Sequence, residues 1–527
     1  MHAAIGVAVF AALSSVRAQS SGIRTYCNPI DIDYKYNFEQ LNAGISYRSG
    51  ADPVIVRQVD EYFLFETVAG GYWRSRDLIH WKFVVPSRWP FEDVVAPAAL
   101  SVRDTMYLLQ STFEPRPILF STAPATGRLE FYNRLLPPLP HAIANGAQPP
   151  FPSGAIPPGP WDPAIFHDPD SDRWYLYWGS SNEYPIYGIE LDKKRRLAYE
   201  GEPRPLLSLH PELHGWERFG AGHGNTFEDA YGNFWNTGTM WIGSNWNFER
   251  RIVMFPAGFD RDGSMFADTR FGDFPHRLPT KSWQRPEELF TEWMLLSYRK
   301  PASATSALDS FPASNVTDEN PRTFWVARST SSRESLTIDL GRSAEVRAIQ
   351  VNYADYHSNR FASDSSVFTR FRIAASLDGR SWRIIADLSR EVRDRPNAYI
   401  ELPVPVRARF VRYLHGHVGA ATLAISDVRI FGNAGGARPA TPAGLAVVRD
   451  TDQRNAHISW ARVPDVVGYN IRWGVAPGKL YQTYQLFADE GASLDLRALT
   501  IGQPYFFAIE SFDESVVSPL SGAVAIR

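Results

Sequence analysis

From about residue 22 to residue 297 the apolar positions fall in short runs that read as β-strands. Tyr62-Phe63-Leu64-Phe65, Met106-Tyr107-Leu108-Leu109 and Trp174-Tyr175-Leu176-Tyr177-Trp178 are examples. Aromatic and β-branched residues dominate these runs, and Gly, Pro, Asn and Asp punctuate them. No long stretch carries the 3.6-residue period of a helix, so the pattern predicts an all-β region.

The runs repeat. A small or acidic residue beside proline opens each unit, an apolar strand follows, and a polar turn leads to a second strand ending in aromatics. Ala51-Asp52-Pro53-Val54-Ile55-Val56 leads to Glu61-Tyr62-Phe63-Leu64-Phe65, and Ala96-Pro97-Ala98-Ala99-Leu100 to Thr105-Met106-Tyr107-Leu108-Leu109. Trp161-Asp162-Pro163-Ala164-Ile165-Phe166 leads to Arg173-Trp174-Tyr175-Leu176-Tyr177, and Gly222-His223-Gly224-Asn225-Thr226-Phe227 to Gly232-Asn233-Phe234-Trp235. Units of about 45 to 65 residues with several strands each suggest the blades of a β-propeller. The openings would then converge on a central channel, where a ligand site is expected. Residues 298–433 and 442–527 read as two further all-β units. The Gly-, Ala- and Pro-rich stretch from Asn433 to Pro442 is a linker between them.

Composition refines this picture. A chain of 527 residues is too long for one core and suggests about three domains. The net charge of −3 is spread without a basic block, which argues against a nucleic-acid partner or a polybasic membrane patch. Aromatics make up 13% of the chain, including 16 Trp, and their faces suit sugar stacking, although short strands also consume aromatics. The single cysteine, Cys27, excludes an intramolecular disulfide and a Cys-based zinc site, and is expected to be a buried, inert thiol. The apolar run from Ile5 to Leu13 is too short to span a bilayer, and Val16-Arg17-Ala18 resembles a signal-peptidase site. Residues 1–18 are therefore expected to be a secretory signal and the product a secreted protein. No other stretch could form a transmembrane helix, and a monomer is expected.

At the repeat openings the first region resembles glycoside hydrolase family 43, five-bladed propellers acting mainly on arabinose- and xylose-containing glycans. Ala51-Asp52-Pro53 and Trp161-Asp162-Pro163 look like its two Asp-bearing openings. Tyr72-Trp73-Arg74-Ser75-Arg76-Asp77-Leu78-Ile79-His80-Trp81 looks like the segment that closes its first blade, and Gly222-His223-Gly224 like its histidine-bearing opening. The resemblance implies an inverting mechanism with two carboxyl groups about 6.5–9.5 Å apart, leaving room for a water. It makes Asp52 the general base and Asp162 the residue that orients the acid and raises its pKa. An Asp before Pro also simply starts a strand or caps a turn. Trp73, Pro97 and Glu183 are candidate substrate contacts. His223 would face a hydrated calcium ion on the channel axis or serve as an ordinary channel histidine.

The chain departs from the family between Asp162 and His223, which are only about 60 residues apart. The family places there a complete fourth blade carrying the acid glutamate. No such motif occurs, so one blade appears to be lost. Glu217 is the nearest carboxylate, in a setting unlike that of the acid.

Residues 298–433 resemble a discoidin, or coagulation-factor 5/8 type C, jelly roll. Asn315 to Trp325, Leu336-Thr337-Ile338-Asp339-Leu340-Gly341, Ser376 to Trp382 and Ile425 to Gly432 carry that resemblance. It implies sugar binding through loops at one end and a structural calcium on Asp318, Thr323 and Asp427, oxygen donors that suit a hard cation. Here Glu319-Asn320 replaces the usual Gly-Asn, and Asp427 the usual Glu. Residues 442–527 resemble a fibronectin type III domain through Trp460, Gly468-Tyr469-Asn470-Ile471-Arg472-Trp473 and Tyr505 to Ile509, all packing residues. The readings that follow are a glycosidase for arabinose- or xylose-containing glycans whose acid is missing, or a carbohydrate-binding or adhesive protein on a glycosidase framework. Both have a polysaccharide or oligosaccharide as partner.

Overall fold

The computed structural model describes residues 24–527 apart from 41–43, 88–94, 112–116, 145–146, 148–155, 157–158, 180–184, 208–223, 243–248, 359, 361–365 and 498. The chain is all-β, as its pattern predicts, with multiple antiparallel sheets and, among the described residues, no closed barrel.

Four separate four-stranded antiparallel sheets occupy the first half. The first holds Val54–Gln58, Glu61–Phe65, Tyr72–Ser75 and Lys82–Val84. The second holds Ala98–Val102, Thr105–Leu109, Ile118–Ser121 and Glu130–Asn133. The third holds Ala164–Asp168, Arg173–Trp178, Ile186–Asp192 and Ala198–Leu207. The fourth holds Thr226–Glu228, Phe234–Trp241, Arg250–Phe259 and Met265–Ala267. In each, the strands follow chain order from one edge to the other. The opening strands neighbour one another in the order fourth, first, second, third.

Alternation along the strands gives each sheet two faces. Ile55, Leu64 and Trp73 of the first sheet share a core with Phe227, Trp235 and Ile252 of the fourth. Ala98, Leu109 and Ile118 of the second share one with Ile165, Trp174 and Leu176 of the third. Tyr72, Phe65 and Val56 of the first pack on Met106, Leu108 and Leu119 of the second. The N-terminal Thr25–Tyr26 pairs with His276–Arg277.

The second unit is one continuous sheet dominated by Ser335–Tyr353 and Asn397–His417. Register shifts between Asp339 and Ala344 and between Val346 and Ala348 bend these strands around a large aliphatic core. Met294–Leu295 pairs with Phe431 and Gly432, so this sheet recruits residues ahead of the expected boundary at 298. The third unit is a sandwich of a three-stranded and a four-stranded sheet around Trp460, Tyr469, Ile471 and Phe507.

The three units are joined by ion pairs, of which those of Arg48 are fully buried. Arg48 of the first lies between Asp394, at 2.7 and 3.0 Å, and Asp355, at 3.2 Å, of the second. Arg429 of the second reaches Asp273 at 2.8 Å, and Arg270 of the first forks onto Glu510 of the third. Cys27 is buried, as expected. Burial pushes its thiol pKa up, and Sγ donates to the Asp273 carbonyl.

Candidate functional site

The site begins in the backbone. Asp52, Ala96 and Asp162 open the first three sheets, and all three lie in the left-handed region, with φ of 53°, 39° and 46°. The next residue in each case is Pro53, Pro97 or Pro163, whose ring disfavours a right-handed helical conformation before it. A left-handed L-residue costs about 1–2 kcal/mol, and Asp is among the types that tolerate it best. The turn swings each opening residue off its strand, so Asp52 and Asp162 occupy equivalent positions in two sheets.

Hydroxyl groups lock these turns. Thr67 Oγ1 donates to Asp52 Oδ2 at 2.6 Å and accepts from Ala96 N at 2.9 Å, linking the first sheet to the second. Ser111 Oγ accepts from Asp162 N at 3.1 Å, linking the second to the third. Thr67 N and Ser111 N each bond the carbonyl just before the turn, at Ala51 and Val95. Gly179 N bonds Trp161 O in the same way. The third sheet therefore has glycine where its predecessors carry the linking hydroxyl. The fourth sheet joins the first differently: Asn225 Oδ1 accepts from Ile55 N at 2.9 Å and its Nδ2 donates to Ile55 O at 2.8 Å.

Asp52, Pro97 and Asp162 line one cavity of about 830 Å³, together with Asn225, Phe166 and Glu228. The structure thus brings three of the expected residues together. Asp52 Oδ1 also faces Arg250 Nη1 at 3.4 Å, a partner that sequence reasoning missed because it lies 198 residues away. Glu228 was missed as well. It stands on the opening strand of the fourth sheet, opposite Phe234, and lines the same cavity.

Trp73 is a correction. It lies wholly inside the first sheet's core, edge-on to Phe83 at 4.9 Å, with Nε1 donating to Asp33 at 2.8 Å, and it does not reach the cavity. Tyr72, Trp73 and Ser75 on this strand are all buried, so the indole is used in packing. Glu183, Glu217 and His223 lie outside the described residues.

In the second unit, Thr323 Oγ1 donates to Asp318 Oδ2 at 2.6 Å. Asp427 is 4% exposed and its Oδ1 has no partner. Burial, then Glu319, pushes the Asp427 carboxyl pKa up. Arg429 answers Glu319 at 2.9 Å and holds it at the left-handed position where the resemblance expects glycine, φ 58°. An unpartnered buried oxygen near a carboxylate–hydroxyl pair is a donor set that fits calcium. Among the described residues no three His, Cys, Asp or Glu side chains cluster to hold a metal, so hydroxyl and carbonyl oxygens would have to complete the shell.

No curated protein matches the chain. Among solved structures it is similar to a glycoside hydrolase, at 14% identity and a TM-score of 0.39, covering 72% of this chain and 97% of that one. It is similar to the family 32 CBM from C. perfringens NanJ in complex with galactose, at 18% identity and a TM-score of 0.23, covering 26% and 98%. Chitosan-binding module 2 of a Paenibacillus sp. IK-5 chitosanase/glucanase, in complex with chitotriose, matches at 19% and 0.23, covering 26% and 99%. Residues 301–421, within the second unit, match the F5/8 type C domain family.

Proposed function

We propose that this is a secreted glycan-binding protein built on four blades of a family 43-type propeller, with an Asp52–Asp162 site that activates water and for which the described residues supply no general acid. The observation that carries the reading is the pairing of Asp52 and Asp162 at equivalent left-handed turns in one cavity. Asp52 accepts hydrogen bonds from Thr67 and Arg250, as an ionised base would. It takes the proton of a water that attacks the anomeric carbon of an arabinose- or xylose-type sugar. Asp162 lines the same cavity and, with no acid among the described residues to orient, is left to contact the bound sugar. The other described carboxylate in the cavity, Glu228, stands on a strand and not at an opening turn like those of Asp52 and Asp162, and we assign it no part in protonating the leaving oxygen. Proton transfer contributes ~10²–10⁴-fold, so turnover is confined to sugars with good leaving groups. The 301–421 domain supplies a second sugar contact and holds calcium on Asp318, Thr323 and Asp427. The third unit is a fibronectin type III-like spacer.

Aryl arabinofuranosides and xylosides test this. Slow release that disappears in Asp52→Ala, with the fold intact by circular dichroism, is the expected result. The same rate in Asp52→Ala overturns the assignment.

A further inference from the structure

We propose that the acid-lined cavity continues sideways into an aromatic cleft between the third and fourth sheets, and that this cleft holds several consecutive sugars of one glycan chain. The inference rests on the glycan reading above and assigns it a substrate class: chains of several sugars rather than single residues.

In the third sheet one face is buried against a neighbour and the other is partly exposed; in the fourth the second face is exposed around Phe234 and Phe259, while Val253 farther along it is buried. In the third sheet Ile165, Trp174 and Leu176 turn toward the second. By alternation Phe166, Tyr175 and Tyr177 occupy the opposite face, where Phe166 remains 46% exposed. Their rings form a row: Phe166 and Tyr175 centroids are 6.5 Å apart, and Tyr175 and Tyr177 are 6.2 Å apart. In the fourth sheet Phe227 and Trp235 turn toward the first. The other face carries Phe234, edge-on at 5.1 Å to Phe259, which is 52% exposed. No described strand lies between these two faces, and the hydroxyl that links earlier sheets is Gly179 here.

Three features choose the occupant. Phe166, Tyr177 and Phe234 line the same cavity as Asp52 and Asp162, so the cleft is continuous with the proposed site. Polar Arg57, Thr226 and Glu228 line the same cavity as these rings. A pyranose or furanose needs this mixture, an apolar face to stack and donors and acceptors for its hydroxyls. The volume, about 830 Å³, lies toward the upper end of the ~300–1,000 Å³ typical of ligand pockets and exceeds what one sugar fills.

The test uses the full chain with soluble arabinoxylan and with arabinan and xylan oligosaccharides of increasing length. Affinity is measured by calorimetry and location by hydrogen exchange. Expected are affinity that rises with chain length, slowed exchange in 164–178 and 226–240, and about tenfold weakening in Phe166→Ala/Tyr177→Ala. Phe234→Ala, on the opposite wall, is an independent second variant, and unfolding midpoints show that each variant remains folded. Binding with protection confined to 301–433 and unaffected by these variants overturns the cleft while leaving the second unit's sugar contact standing. Self-association by sedimentation that is lost in Phe166→Ala/Tyr177→Ala also overturns it, because a second copy then covers the face. Absence of binding to every glycan overturns both this inference and the function it rests on.

Discussion

Arg48→Met should destabilise the protein by about 3–5 kcal/mol. The Arg48 side chain is 0% exposed and lies between Asp394 and Asp355, themselves 4% and 1% exposed. It makes a two-pronged contact with Asp394 and sits over the Tyr353 ring at 5.2 Å. Methionine fills much of the volume but removes the cation that both buried carboxylates share, and breaking a buried pair from one side costs about 3–5 kcal/mol. The defect falls at the junction of the first two units, four residues before Asp52, so stability and site are perturbed together. Urea unfolding followed by tryptophan fluorescence measures it. Arg48→Met/Asp394→Asn should recover part of the loss, since it removes one of the two charges that shared the cation. A loss below about 1 kcal/mol, or no recovery in the double variant, would refute the reasoning.

The remaining predictions are more local. Burial, then Glu287, pushes Asp268 from an ordinary value of 3.8 up to about 6. The folded state therefore binds the extra proton between those values, and its stability falls as pH rises through that window. The penalty, fully present above about pH 6, amounts to about 3 kcal/mol. Asp268→Asn should raise the urea midpoint at pH 7.5 and leave it unchanged near pH 3.5; equal effects at both pH values would contradict this. If calcium occupies the second unit, chelation should lower the thermal midpoint of the wild type but not of Asp427→Ala. An unchanged wild-type midpoint removes calcium from the account.

Much of the fold was legible because period-two alternation and proline-bounded openings are local signals. Asp52-Pro53, Ala96-Pro97 and Asp162-Pro163 announced the turns, and the structure places all three in the same left-handed conformation. The missing hydroxyl link at Gly179 is equally local, but its meaning appears only once Thr67 and Ser111 are seen to bridge neighbouring sheets. Partners supplied from far along the chain were not legible. Arg250 meets Asp52 across 198 residues, and Asp394 meets Arg48 across 346. Trp73 was misread because its motif gives the strand and not the face, and on this strand the face is core. Arg429 pairs with Glu319, which stands where glycine was expected, a compensation invisible until both are seen together.

The central claim is a water-activating site without an acid, and the dependence of rate on the leaving group tests it most directly. The measurement is kcat/KM for a series of aryl arabinofuranosides and xylosides of increasing leaving-group pKa, ending with natural sugar-linked substrates. The account predicts a steep fall, with natural linkages slower than the most activated aryl glycoside by well over ~10²–10⁴-fold. A shallow dependence, with natural glycans cleaved nearly as fast, would show that a competent acid is present and contradict it.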